Sequence, residues 1–180
     1  MKTLAKSRAL QKLDSLKKKF RDEVSPYERR AKNCLTCEAQ GVCCTDAHFV
    51  NVHVTRLEAE AMNSTLEELP DALEAKVRKR IADAIREYSL RADDRSFERT
   101  YSCPLFEPGI GCLVHSGPKP LPCIHHACYE SVADLPPDEI LETAEAKIER
   151  LNSRTFGNAW NWQPIPVALQ AESVKIRKGD

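Results

Sequence analysis

The sequence predicts an α+β domain, mostly helical, with short strands and a cysteine-rich loop region organised by metal. Three observations predict it. Apolar residues recur at helical spacing in several stretches, and one short run alternates apolar with polar residues. Eight cysteines then fall into two batches of four, one on each side of the central helical stretches. At 180 residues, 42% hydrophobic and 30% charged, the chain has the size and composition of one globular domain.

Residues 4 to 24 carry Leu10, Leu13, Leu16 and Phe20 along one stripe, with Lys6, Arg8, Lys12, Lys17, Lys18, Lys19 and Arg21 on the remaining surface. This predicts a basic amphipathic helix over residues 1–24, ended by Ser25-Pro26. Residues 25–180 then read as a single cysteine-cluster, metal-binding domain whose core motif region is 34–128. From Phe49 to Val54 the valines at 50, 52 and 54 alternate with Asn51 and His53, the period of a half-buried strand. Thr55-Arg-Leu-Glu58 has the form of a capping box, which opens a helix. Asn63-Ser64 interrupts that helix, and a longer one follows from Asp71 to about Leu90, with Leu73, Val77, Ile81, Ile85 and Tyr88 on its core face.

Prolines and glycines crowd the next segment and forbid long regular elements there. Two short strands, Cys103 to Phe106 and Cys112 to His115, can pair across Glu107-Pro-Gly-Ile-Gly111. A last helix runs from Pro137 to Arg154 on Leu141, Ala144, Ile148 and Leu151. The tail from Phe156, with Trp160, Trp162 and Pro164-Ile-Pro166, reads as extended chain lying over the domain.

Charge and hydropathy exclude some function classes. With 27 basic and 27 acidic residues no global field steers the molecule to nucleic acid or an anionic membrane, so any such docking would be local to the basic helix. No window reaches the roughly 18 consecutive apolar residues of a membrane-spanning helix, and the N-terminus lacks the apolar core of a secretion signal. The expected location is therefore cytoplasmic, where thiols are kept reduced and metal ligation is the first reading of many cysteines.

The first batch is Cys34, Cys37, Cys43 and Cys44; the second is Cys103, Cys112, Cys123 and Cys128. A C-x2-C step such as Cys34 to Cys37 lets one tight turn aim two thiolates at one ion. Adjacent residues such as Cys43 and Cys44 instead point about 100° apart on a helix and to opposite faces of a strand. The pair thus bridges two metal centres, holds a multinuclear cluster, or contributes one ligand while the other thiol packs as a small apolar side chain. Cys128 has the same two readings, ligand or buried thiol. The later spacings do not repeat the C-x2-C step of a zinc ribbon, while Cys103-Pro104 and the proline before Cys123 suit an iron–sulfur loop as well as a zinc loop. Zinc and iron both fit. His115, His125 and His126 are reserve ligands.

Three other readings stay open on the residues alone: a disulfide framework in an exported chain, a thiol redox enzyme, and a Cys–His hydrolase. No strand leads into Cys34 as a redox C-x-x-C requires, and no nucleophile, base and orienter stand together.

Taken in order, Cys34, Cys37, Cys43-Cys44, Tyr101-Ser-Cys-Pro-Leu-Phe106, Gly111-Cys-Leu-Val-His115 and Lys119-Pro-Leu-Pro-Cys123 resemble the CxxCxxCC family of zinc- or iron-chelating domains, the YkgJ-type cysteine cluster proteins. The resemblance runs from Cys34 to Cys128. Five residues separate Cys37 from Cys43 where the family usually has two, Lys119 replaces the usual arginine, and His115 stands where tyrosine is common. The resemblance implies a cytosolic protein chelating zinc or iron, with an iron–sulfur cluster as one form, at a structural or redox site. The alternative is a metal-cluster-dependent enzyme or accessory factor acting on a protein or RNA substrate. The larger relatives accompany flagellin lysine methylation, but no glycine-rich turn follows a strand here to cradle S-adenosylmethionine, so methylation is not expected.

Overall fold

The computed structural model describes residues 4–32, 38–46, 50–92, 98–157 and 162–178, with side chains as far as Ser173. Among these residues the chain is mostly helical with two small two-stranded sheets, which fits the α+β expectation. The helices are α1 (Lys6–Glu28), α2 (Val42–Thr45), α3 (Arg56–Glu67), α4 (Asp71–Glu87), α5 (Leu121–His125), α6 (Asp138–Phe156) and α7 (Ile165–Lys178). The strands are β1 (His53–Val54), β2 (Phe106–Glu107), β3 (Gly111–Cys112) and β4 (Gln163–Pro164). No helix among the described residues is long and apolar enough to cross a membrane.

α1 buries Ala9, Leu13, Lys17, Phe20 and Val24, so the predicted stripe is real but rotated, with Leu10 and Leu16 on its margins. It does not end at Ser25-Pro26. Pro26 cannot donate to the Asp22 carbonyl, and the Ser25 hydroxyl donates there instead at 3.0 Å, so the helix carries on to Glu28. α3 opens on the predicted capping box, in which the Glu58 amide donates to Thr55 Oγ1 and the Thr55 amide to Glu58 Oε2 at 3.1 Å. Nor does Asn63-Ser64 interrupt α3. The buried Asn63 amide group donates to the Leu169 carbonyl at 3.1 Å, and Ser64 donates to the Glu60 carbonyl one turn back, so neither competes with the helical backbone.

α3 separates two apolar clusters. On one side Leu57 joins Leu13 and Phe20 of α1, Leu121 and Ile124 of α5, and Ile148 of α6. On the other, Ala59, Met62 and Leu66 meet Val77 and Ile81 of α4 and Ala168 and Leu169 of α7. α4 and α6 follow their predicted spans closely.

The strands are shorter than predicted. Among the described residues of the 49–54 run, His53 and Val54 alone form a strand, antiparallel with Pro164 and Gln163 of β4. His53, which the alternation places outward, is buried under that pairing. Phe49 lies outside the described residues. β2 and β3 pair across the predicted turn, Phe106 with Cys112 and Glu107 with Gly111. The tail corrects the sequence reading most: after β4 it turns into α7 rather than staying extended, because Pro166 sits in the first turn of a helix, where its missing N–H costs nothing. Trp162 is partly buried, and Trp160 lies outside the described residues.

Candidate metal centre

Three segments carry five cysteines within electrostatic reach of one another, and two of these, Cys103 and Cys112, pack against the cluster that α3, α4 and α7 enclose. The first is α2, a single turn that opens at Gly41 with φ 77°. Gly41 is also where the Phe106 ring lies, and a Cβ there would run into that ring. The contact sets α2 against β2. The Cys103 amide donates to the Cys44 carbonyl at 2.7 Å and the Ser102 hydroxyl donates to the Thr45 carbonyl, so the second segment is laced to the end of α2. The hairpin then returns Cys112 opposite Phe106, and the Leu113 amide donates to the Leu105 carbonyl at 2.9 Å.

Cys123 sits on α5, the third segment, which Leu121 and Ile124 anchor in the other apolar cluster. The loop before α5 is held by α1. Lys17 Nζ donates to the Pro118 and Lys119 carbonyls at 3.1 and 2.8 Å and pairs with Glu58 at 2.9 Å, the lysine and the carboxylate both nearly inaccessible to solvent. Arg21 donates to the His115 carbonyl at 2.7 Å. Thus a lysine of the apolar stripe ties the α3 cap to the loop that presents Cys123.

The sulfurs act on one another. The Cys44 thiol donates to the Cys43 sulfur, and this holds Cys43 down at about 6. The same bond, then burial and the neighbouring Cys103, Cys43 and Cys123, push Cys44 far up. Burial, followed by Cys123, pushes Cys103 well up. Cys123 is pushed up to about 12 by burial and then Cys112, with Lys119 and Lys17 opposing. Cys43, Cys44, Cys103, Cys112 and Cys123 therefore share one electrostatic neighbourhood, bordered by the cations of Lys17, Arg80 and Lys119.

Cys34 and Cys37 lie outside the described residues. Cys128 is exposed, and its carbonyl accepts from the amide of Lys32 at 2.7 Å, which brings it beside the last described residue before Cys34. Of the reserve histidines, His125 is a core residue. It is fully buried, stacks on Phe20, and sets Nε2 at 3.2 Å from the Pro137 carbonyl. His126 packs edge-on against His125, and His115 is exposed.

Among the described residues, no three histidine, cysteine or carboxylate side chains converge as a set able to hold one ion. The described residues contain six of the eight cysteines. The chemistry of the donors nevertheless fits a thiophilic cation. They are soft sulfur ligands, and burial makes their ionisation costly in a way that a bound positive charge removes. Sequence reasoning missed Arg80 and Gly41 and counted Lys17 as surface. Only Lys17 left a signal, as a lysine in register with Leu13 and Phe20. Comparison with protein-family models, with curated proteins and with solved structures finds no match to this chain.

Proposed function

We propose that the chain is a metal-binding protein of the cysteine-cluster kind, which uses its sulfurs to hold zinc or iron at a structural or redox site. Cys43, Cys44, Cys103, Cys112 and Cys123 form the near set, and Cys34, Cys37 and Cys128 complete the candidates. The observation that carries this reading is the gathering of five thiols from three separate segments, most of them partly buried, beside three cations. The bound metal supplies positive charge that makes thiolates the stable form.

The protein's own part is positional. The bond from Cys103 to Cys44 fixes the first two segments against each other, and Lys17 fixes the α5 loop. The CxxCxxCC resemblance suggests the same chemistry and a reducing, cytosolic setting. Metal analysis of anaerobically purified protein tests the reading. Near-stoichiometric zinc or iron is expected, with iron accompanied by sulfide if a cluster is present, and Cys103→Ser and Cys123→Ser should lower the content. A metal-free wild type that takes up neither ion would refute it.

A further inference from the structure

α1 and α6 lie side by side and antiparallel. At one end the Leu4 amide donates to the Arg154 carbonyl at 2.9 Å; at the other Phe20 stacks on His125, whose Nε2 sits 3.2 Å from the Pro137 carbonyl. α3 closes one side of this pair. Asn152 of α6 accepts from the Leu57 amide at 3.1 Å, and Lys17 of α1 reaches Glu58 in the same turn of α3. The helical period then fixes what faces the other way. On α1 it is Arg8, Lys12 and Lys19, and on α6 it is Lys147, Arg150 and Arg154, each about 140 to 180° around its helix from Lys17 or Asn152. Two rows of cations therefore border the seam between the helices on the side away from α3.

All six side chains are exposed, and none forms an ion pair or a side-chain hydrogen bond among the described residues. Exposed cations elsewhere mostly find a carboxylate, as Lys18 finds Asp14, Lys79 finds Asp83 and Arg30 finds Asp134. On α6 the acids segregate from the row: Glu142, Glu145 and Glu149 fall on the Asn152 flank. Glu23 and Glu139 border the rows only at the Lys19 end. A chain of zero formal charge thus holds a local positive field on one face.

The chemistry of the face selects among polyanions. The exposed large hydrophobic residues, Val42, Ile110 and Val132, lie on neither helix. Stable membrane anchoring takes two signals, and a basic patch is one. A single nucleic-acid strand is gripped by stacking its bases on aromatic rings, and the rows contain none. The phosphates of a duplex need only cations, and rows set apart by the roughly 8 to 10 Å of packed helix axes can follow the two strands that border a groove.

We propose that the α1–α6 face binds the phosphate backbone of a nucleic-acid duplex without regard to base sequence. The amino-acid sequence places any docking on α1 alone; the second row comes from α6. Neither helix carries a cysteine, so the inference stands apart from the metal-binding reading.

The experiment is fluorescence anisotropy of the full chain with labelled DNA and RNA duplexes of about 20 base pairs over a range of salt. A dissociation constant of about 1 to 100 μM at physiological salt is expected for at least one duplex, with a log–log salt slope near −5 on DNA if about six phosphates are met. Arg8→Gln with Lys12→Gln, and Arg150→Gln with Arg154→Gln, should each reduce that slope by about 2 and weaken binding at least about tenfold in low salt. As exposed surface changes they should leave the thermal melt in place. Lys79→Gln with Arg86→Gln removes the same charge from α4 and should change affinity less than about threefold. Failure to bind either duplex in low salt would overturn the proposal, as would either row's double variant binding like the wild type or the α4 pair losing as much. Tighter binding to a single strand, or to phosphatidylserine vesicles, than to the duplex would overturn it too.

Discussion

Gly41 shows how a single residue can decide whether two cysteine segments meet. Its backbone is left-handed, and the Phe106 ring occupies the space where any side chain would start. Gly41→Ala combines the cost of a left-handed alanine with overpacking against an aromatic ring, and should destabilise the protein by about 2 to 4 kcal/mol. Denaturant melts would measure it. Glu107 makes a prediction about pH. The Lys76 ammonium, aided by Arg80, holds its carboxyl below the ordinary 4.5. Its folded value is thus lower than its unfolded one, so its contribution is fully present above pH 4.5 and is lost as pH falls through the lowered value. Glu107→Gln should flatten that part of the acid stability curve, and an unchanged acid limb would count against the pairing. At this scale the sequence was informative about residue type only. Cysteines announce themselves, whereas the meeting of Gly41 with the Phe106 ring follows from a fold that no local pattern encodes.

α1 packs its apolar stripe on the domain, the simpler of the two readings of a basic amphipathic helix, and one of its lysines, Lys17, forms a buried pair with Glu58. Lys17→Met would leave Glu58 buried without its cation and release the Pro118 and Lys119 carbonyls. A loss of about 3 to 5 kcal/mol is expected in chemical denaturation, far more than for an exposed lysine such as Lys12. α4, α6 and the start of α3 were legible because core periodicity and a capping box are local signals. The end of α1, the continuity of α3 and the whole of α7 were not. In each case a residue with a reputation as a breaker, Pro26, Asn63 or Pro166, has its polar group satisfied by a neighbour or sits where nothing is lost.

At the scale of the molecule, the two apolar clusters meet across α3, and the cysteine segments close off one of them with Cys103 and Cys112 packed at its edge. Structural zinc in small peptides contributes about 10 to 16 kcal/mol of apparent binding free energy, comparable to the net stability of a whole domain. Stripping metal should therefore loosen the Cys103 to Cys128 segment first, while α3, α4 and α7, which have their own core, keep their order. Hydrogen exchange before and after chelation separates these regions. The pairing of distant cysteines was legible as a set of donors, and its order along the chain carried the family resemblance. Which sulfurs come together was not, because it depends on the register of β2 with β3 and on the loop that Lys17 holds.

The most direct test is the metal and sulfide content of the full chain, purified without oxygen. Zinc or iron near one equivalent or more, lost on Cys103→Ser and Cys123→Ser together with amide protection in the 103–128 segment, is the predicted result. A wild type free of metal, refusing both ions and keeping the same protection in the presence of chelator, would contradict the account.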